Sequence, residues 1–339
     1  MTVPFVLLVL GALTAALAPR LLARADWPDR EPVLALWVWQ CVIVGVLLCC
    51  VSAMALCASA AWAEVRGHVF ALAPRSVVDA YGLARYGRWA SPLAVLLACG
   101  GAWTAAMLTR ELRDAGTQRR RRRAELRARC PRLPGEATSA SPYLPGAPPA
   151  AGMGREASPD AAGPAGGGEH LLVLESEQAE AWRLSGSRLQ LVITTAALRR
   201  LRGKQLDAVL AHERGHARAR HDWLLACAYA LASGFPQVPV FAGFRHQVHR
   251  LVELAADDVA SRRFGGLTTA LALVELNEDR GVFGPCPTPF AQLPGRIHRL
   301  IDPAPRLTRT RRLGVTAVAL LVPAIPLLVT FAPGISALT

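Results

Sequence analysis

The stretch VLAHERGHARARHD, residues 209–222, sets two imidazoles and a carboxylate at a spacing that suits metal chemistry. On a helix, His212 and His216 stand one turn apart on one face, as two ligands of a single metal require. Glu213 lies about 100° round the helix from His212, close enough to reach a water at that metal without ligating the metal itself. A metal acidifies such a water, and a carboxylate beside it can take the proton and later hand it to a leaving amine. The same residues also fit the wet side of an ordinary amphipathic helix, so a third ligand must decide.

The segment FRHQVHRLVELAADDVASRRFG, 244–265, reads as a second amphipathic helix ended by Gly265. Glu253 and Asp257 share one face of it. Glu253 completes a His, His, Glu set with a position left open for water, and Asp257 can accept the free ring N–H of a ligand histidine and fix its tautomer. His249, four residues before Glu253, competes as the third ligand. Arg250 and Arg262 offer the two carboxylates an alternative life as simple ion pairs. His221, counted along one continuous helix from His212, falls half a turn off the ligand face and is expected to point elsewhere. Zinc is the expected metal (Zn2+), although the ligand types also suit cobalt or manganese.

Three short alternating stretches precede these helices: HLLVLES (170–176), EAWRLSG (180–186) and SRLQLVITT (187–195), read as strands with Gly186 at a turn. Helices follow, with a break near Arg202 and Gly203. The apolar stretch WLLACAYALASGF, 223–235, is too short to cross a bilayer and reads as a helix buried in the domain or dipping into one leaflet.

Across all 339 residues, 52% hydrophobic content coexists with a net charge of +13. Apolar blocks therefore alternate with basic ones, which fits an integral membrane protein better than a nucleic-acid binder. Four runs approach the roughly 20 residues needed to cross: 3–18, 33–63, 89–109 and 313–331. The chain divides into three transmembrane helices (1–109), a basic juxtamembrane segment with a Pro, Gly and Ala linker (110–169), a folded block (170–305), and a fourth helix with its tail (306–339). The arginine-dense stretches at 110–132 and 306–312 flank the folded block, which predicts that the block is cytosolic. Loop 19–32 then shares its side, and loop 64–88 faces the other. The arginine run lacks interleaved aromatics and abuts a span, so it reads as a lipid-headgroup anchor, with no direct nucleic-acid contact expected. Eight cysteines without a CxxC pair suggest reduced thiols.

The run LVITTAALRRLRGKQLDAVLAHERGH followed by ELAADD resembles the gluzincin membrane peptidases. Two branches are similar: the BlaR/MecR-type antirepressor peptidases, whose span layout the chain matches better, and the HtpX and CAAX-protease branch. The resemblance implies a mostly α-helical integral membrane protein with four transmembrane helices and a cytosolic α+β zincin domain between the third and fourth. It implies His212, His216 and Glu253 as zinc ligands, Glu213 as general base and Asp257 as the group orienting a ligand histidine. It further implies that strand 189–194 forms a sheet edge holding the substrate peptide, and that Arg296, with His298 as rival, stabilises the oxyanion. The expected setting is a bacterial inner membrane. Expected partners are membrane lipids and a protein substrate, either a cytosolic winged-helix repressor or cytosolic loops of membrane proteins. No penicillin-binding sensor domain or SxxK site follows the fourth span, so direct β-lactam sensing is not expected. A quality-control protease and a non-enzymatic signalling scaffold are the alternatives.

Overall fold

The computed structural model describes residues 2–83, 88–129, 170–177, 179, 181–184, 190–277 and 292–338. The proposed linker at 131–169 and the turn at Gly186 lie outside these residues.

Four helices among the described residues are long and apolar enough to cross a membrane. They are α1 (Thr2–Ala23), α2 (Pro32–Ala61), α5 (Ala90–Arg129) and α12 (Arg309–Ser336). Pro19 does not stop α1, which runs on past it. The third helix does not end at its first arginine either. Arginine is a good helix former, and α5 continues through the basic stretch. Between α2 and α5 lie two short helices, α3 (Ala63–Val69) and α4 (Arg75–Ala80). Leu13, Val44, Leu96 and Leu320 are all about half-exposed or more on the outer faces of the long helices. Inside the bundle α2 and α12 touch closely at Gly45, where a Cβ would lie 2.8 Å from Val322 Cγ1.

The rest begins with three strands, β1 (His170–Leu174), β2 (Ala181–Leu184) and β3 (Gln190–Thr194), in the order β1-β3-β2. β3 pairs in parallel with β1, His170 opposite Gln190, and antiparallel with β2, Ala181 opposite Ile193. This corrects the expectation for strand 189–194: it is the central strand, hydrogen-bonded on both sides, and has no free edge for a peptide. Val192 and Ile193, which point to opposite faces of β3, are both buried, so both faces of the strand are covered there.

Thr194 ends β3 and caps α6 (Thr195–Arg200), its hydroxyl accepting a hydrogen bond from the Ala197 amide. Gly203, at φ 49°, then turns the chain into α7 (Lys204–Arg218). α8 (His221–Gly234), α9 (Pro239–Phe264), α10 (Gly266–Asn277) and α11 (Leu293–Ile301) complete the element order. α9 starts earlier than its charge pattern suggests, because Pro239 occupies its first turn.

Two cores matter for the site. One joins Val209 of α7 to Ala181, Ile193, Leu273 and Leu300, packing sheet, α10 and α11 together. The other joins α8 and α9 to the long helices: Leu231, Phe241, Phe244, Leu251 and Val252 share it with Ala15, Leu36, Trp39 and Val46. The folded block is therefore built onto α1 and α2 rather than tethered beside them.

Candidate metal centre

α7 and α9 pack against each other with the backbone of Gly215 facing Ala256 and Val259; a Cβ there would already be 3.4 Å from each. That closeness brings the polar side chains of both helices into one buried cluster. His212 Nε2 lies 3.1 Å from His216 Nε2. Glu253 Oε2 is 3.6 Å from His212 Nε2, and its Oε1 is 3.6 Å from His216 Nε2. Four-coordinate zinc with bonds near 2.0 Å needs donors roughly 3.3 Å apart, so these three residues converge at the spacing the ion asks for. His249 is half-buried on α9 and is not among the converging donors.

Each histidine is gripped from behind. His212 Nδ1 is 3.0 Å from Asp257 Oδ1. His216 Nδ1 is 2.9 Å from His221 Nδ1. The second contact corrects the placement of His221, which is buried beside the cluster rather than turned away. α7 ends at Arg218, and Arg220 adopts a left-handed φ of 51° that reverses the chain before α8 begins at His221. Angles counted along one continuous helix do not survive that break. The onset of an unbroken apolar run at Trp223 marks the change of element in the sequence, and it is the signal that could have found this contact.

Arg296 is buried on α11 with Leu300, one turn on, while His298 on the other side of that helix is exposed. Its guanidinium forks onto Asp257, Nε donating to Oδ2 and Nη2 to Oδ1 at 2.7 Å each, and Nη1 lies 3.0 Å from Glu253 Oε2. The structure thus commits Arg296 to Asp257, which stands behind His212, and to the candidate ligand Glu253. Below it, Asp258 takes Arg299 at 2.6 Å and Arg306 at 3.5 Å, a set that sequence reading did not single out.

The electrostatics follow from burial. Burial pushes the Glu253 carboxyl up, but Arg296 and the two imidazoles outweigh it and hold it near 2. Asp257 is likewise held well below the usual carboxylate range against burial, chiefly by Arg296. Burial depresses His212, yet hydrogen bonds and charge from Asp257 and Glu253 prevail and lift it to about 9. At His216 burial wins over Glu253, leaving a neutral ring near 3. The buried carboxylates of Glu213, Glu253 and Asp257 outnumber the one guanidinium buried with them, so the cluster favours added positive charge. A divalent cation at the converging donors would supply it, and the donor set of two imidazoles and a carboxylate suits zinc.

Glu213 is almost wholly buried, one residue after His212 on α7. The group therefore contains a converging donor triad, a buried carboxylate adjoining His212 in the chain, and a partner behind each histidine. Such an arrangement can hold a metal and move a proton.

No curated protein and no solved structure matches the chain. Residues 154–276, which contain β1 through α9 and nearly all of α10, match the model of Peptidase family M48. With the triad converging inside the matched stretch, the match supports a metallopeptidase of the M48 family.

Proposed function

We propose that the protein is a membrane-bound zinc endopeptidase that makes limited cuts in a cytosolic regulator, by resemblance a winged-helix repressor of the BlaI type. The convergence of His212, His216 and Glu253 carries the reading. Bound by this set, zinc would supply Lewis acidity and acidify a water toward neutral pH. His212 and His216 hold their Nε2 atoms inward because Asp257 and His221 engage the opposite ring nitrogens. Glu213 accepts a proton from the attacking water and returns it to the leaving amine. Arg296 acts as a positioning residue, keeping Asp257 and Glu253 ionised and aimed. With β3 enclosed, the substrate strand adds to the outer edge of β2, the edge strand that packs on α7.

A second reading, quality control of membrane proteins in the manner of the HtpX branch, draws support from the shared core that fixes the centre to the long helices. Comparison of protein N-termini in host cells expressing wild type or Glu213→Ala at matched levels separates the two. One new terminus within a repressor supports regulation, and scattered termini in membrane proteins support quality control. Identical termini in both strains contradict an endopeptidase.

A further inference from the structure

We propose that the α8–α9 hairpin is a re-entrant membrane element: its outer face meets lipid acyl chains, and it seats the metal centre in the headgroup layer. The inference deepens the peptidase reading and rests on the four apolar helices crossing a bilayer.

Residues 223–244 carry no charged side chain, yet they form no span. The 14 residues of α8 extend only about 21 Å, short of the roughly 30 Å hydrocarbon core. Contacts with three long helices fix how deep the hairpin tip lies. On α5, Trp103 Nε1 donates to the Gly234 carbonyl at 2.9 Å, and Arg110, the first charge on that helix, is seven residues or about 10 Å further along. On α2, Trp39 approaches within 3.3 Å of a Cβ built at Gly243, and it too is seven residues, about 10 Å, from the helix start at Pro32. On α1, Pro19 meets the same point at 3.3 Å, directly before Arg20, the first charge on that helix. The α5 and α2 contacts place the tip about 10 Å inside the ends of those spans, and the α1 contact sits at the charged end of its span.

Most of the tip's backbone suits that depth, because polar main-chain groups in the hydrocarbon must be satisfied by protein; Gln237, exposed between the two prolines, is the polar exception. Pro236 and Pro239 present no N–H. The amides of Phe235, Val238 and Phe241 donate to Leu231, Phe235 and Val238 carbonyls, and the Gly234 carbonyl has the Trp103 indole. Arg245 is the charge nearest the tip. It lies over the Tyr229 ring at 5.2 Å and is exposed, so its long stem can carry the charge toward the headgroups. Tyr229 and Trp223 are 46% and 57% exposed along α8, where an aromatic belt belongs.

The rim is fixed independently. Arg250, seven residues past Gly243, pairs with Asp29 in the turn joining α1 to α2. Glu253 is one further helical step, about 5 Å, beyond that level, within the roughly 5–7 Å headgroup layer. A polypeptide running along the bilayer surface, such as the segment flanking another protein's span, therefore meets the centre without leaving that surface.

The test uses the full chain with p-benzoylphenylalanine at Tyr229 or at Ala242, both exposed, in phosphatidylglycerol–phosphatidylcholine vesicles. Irradiation and mass spectrometry then read lipid adducts. Val44 on α2 serves as the span reference and Leu271 on α10, beyond the centre, as an exposed apolar residue away from lipid. Adducts at Tyr229 and Ala242 at roughly the Val44 yield, and about tenfold fewer at Leu271, are expected. Adducts at Val44 without adducts at Tyr229 and Ala242 overturn the hairpin assignment. Adducts at none of the positions overturn it together with the four-span reading. Cross-linking does not use the metal centre, so failure of the peptidase reading in the N-terminus comparison leaves this result standing.

Discussion

His216 offers Nε2 to the ligand cluster while its Nδ1 is held by His221. His221→Ala should lower zinc affinity about 10- to 100-fold, the usual cost of losing a partner behind a ligand histidine. Chelator competition measures the loss, and the metal-free protein should keep its far-ultraviolet circular dichroism. An unchanged affinity would make His221 a packing residue only. Arg296 makes a different demand, since its removal strands two buried carboxylates. Arg296→Ala should destabilise the protein by about 3–5 kcal/mol, and Arg296→Lys should fall between the two because it keeps the charge and loses the two-pronged grip. Thermal unfolding of the three proteins checks the order; equal midpoints would contradict the ion network described around Asp257.

Close helix approach sets the site at the level of elements. Gly266 begins α10 with the Leu300 carbonyl of α11 directly against it, leaving no room for a Cβ. Gly266→Ala must therefore push α11 away and carry Arg296 off Asp257. We expect a clear fall in unfolding midpoint and, in the same protein, weaker zinc retention; a midpoint within about 1 °C of wild type would show that the contact relaxes freely. Much at this scale is legible in the sequence. The three strands, the break at Gly203 and the end of α9 at Gly265 all follow local turn and capping chemistry, which acts within a few residues. Strand order does not. Nothing in QLVIT tells that β1 and β2 flank it, because pairing is decided by segments up to twenty residues apart. The His221 contact was hidden for a related reason: Arg220, not glycine, takes the left-handed φ that reverses the chain. Arg296 was visible only as a basic residue far along the chain, and its fork onto Asp257 is a tertiary fact.

Taken as one molecule, the chain ties its candidate metal centre to its apolar helices through a common core and through the Asp29 contacts with Arg250 and Arg299. Because Arg250 and Asp29 are partly exposed, Asp29→Ala should cost no more than about 1 kcal/mol, whereas stripping the metal should act on the whole fold. Zinc that binds only the folded chain stabilises it by about 4 kcal/mol at a thousandfold excess over its dissociation constant, so chelation should lower the unfolding midpoint by several degrees. The most direct test of the central claim is the metal content of the full-length protein purified in mild detergent, by elemental mass spectrometry. About one zinc per chain is expected in wild type and in Glu213→Gln, which spares the proposed ligands, and a large loss in Glu253→Gln. No zinc in wild type, or zinc indifferent to Glu253, would contradict that claim.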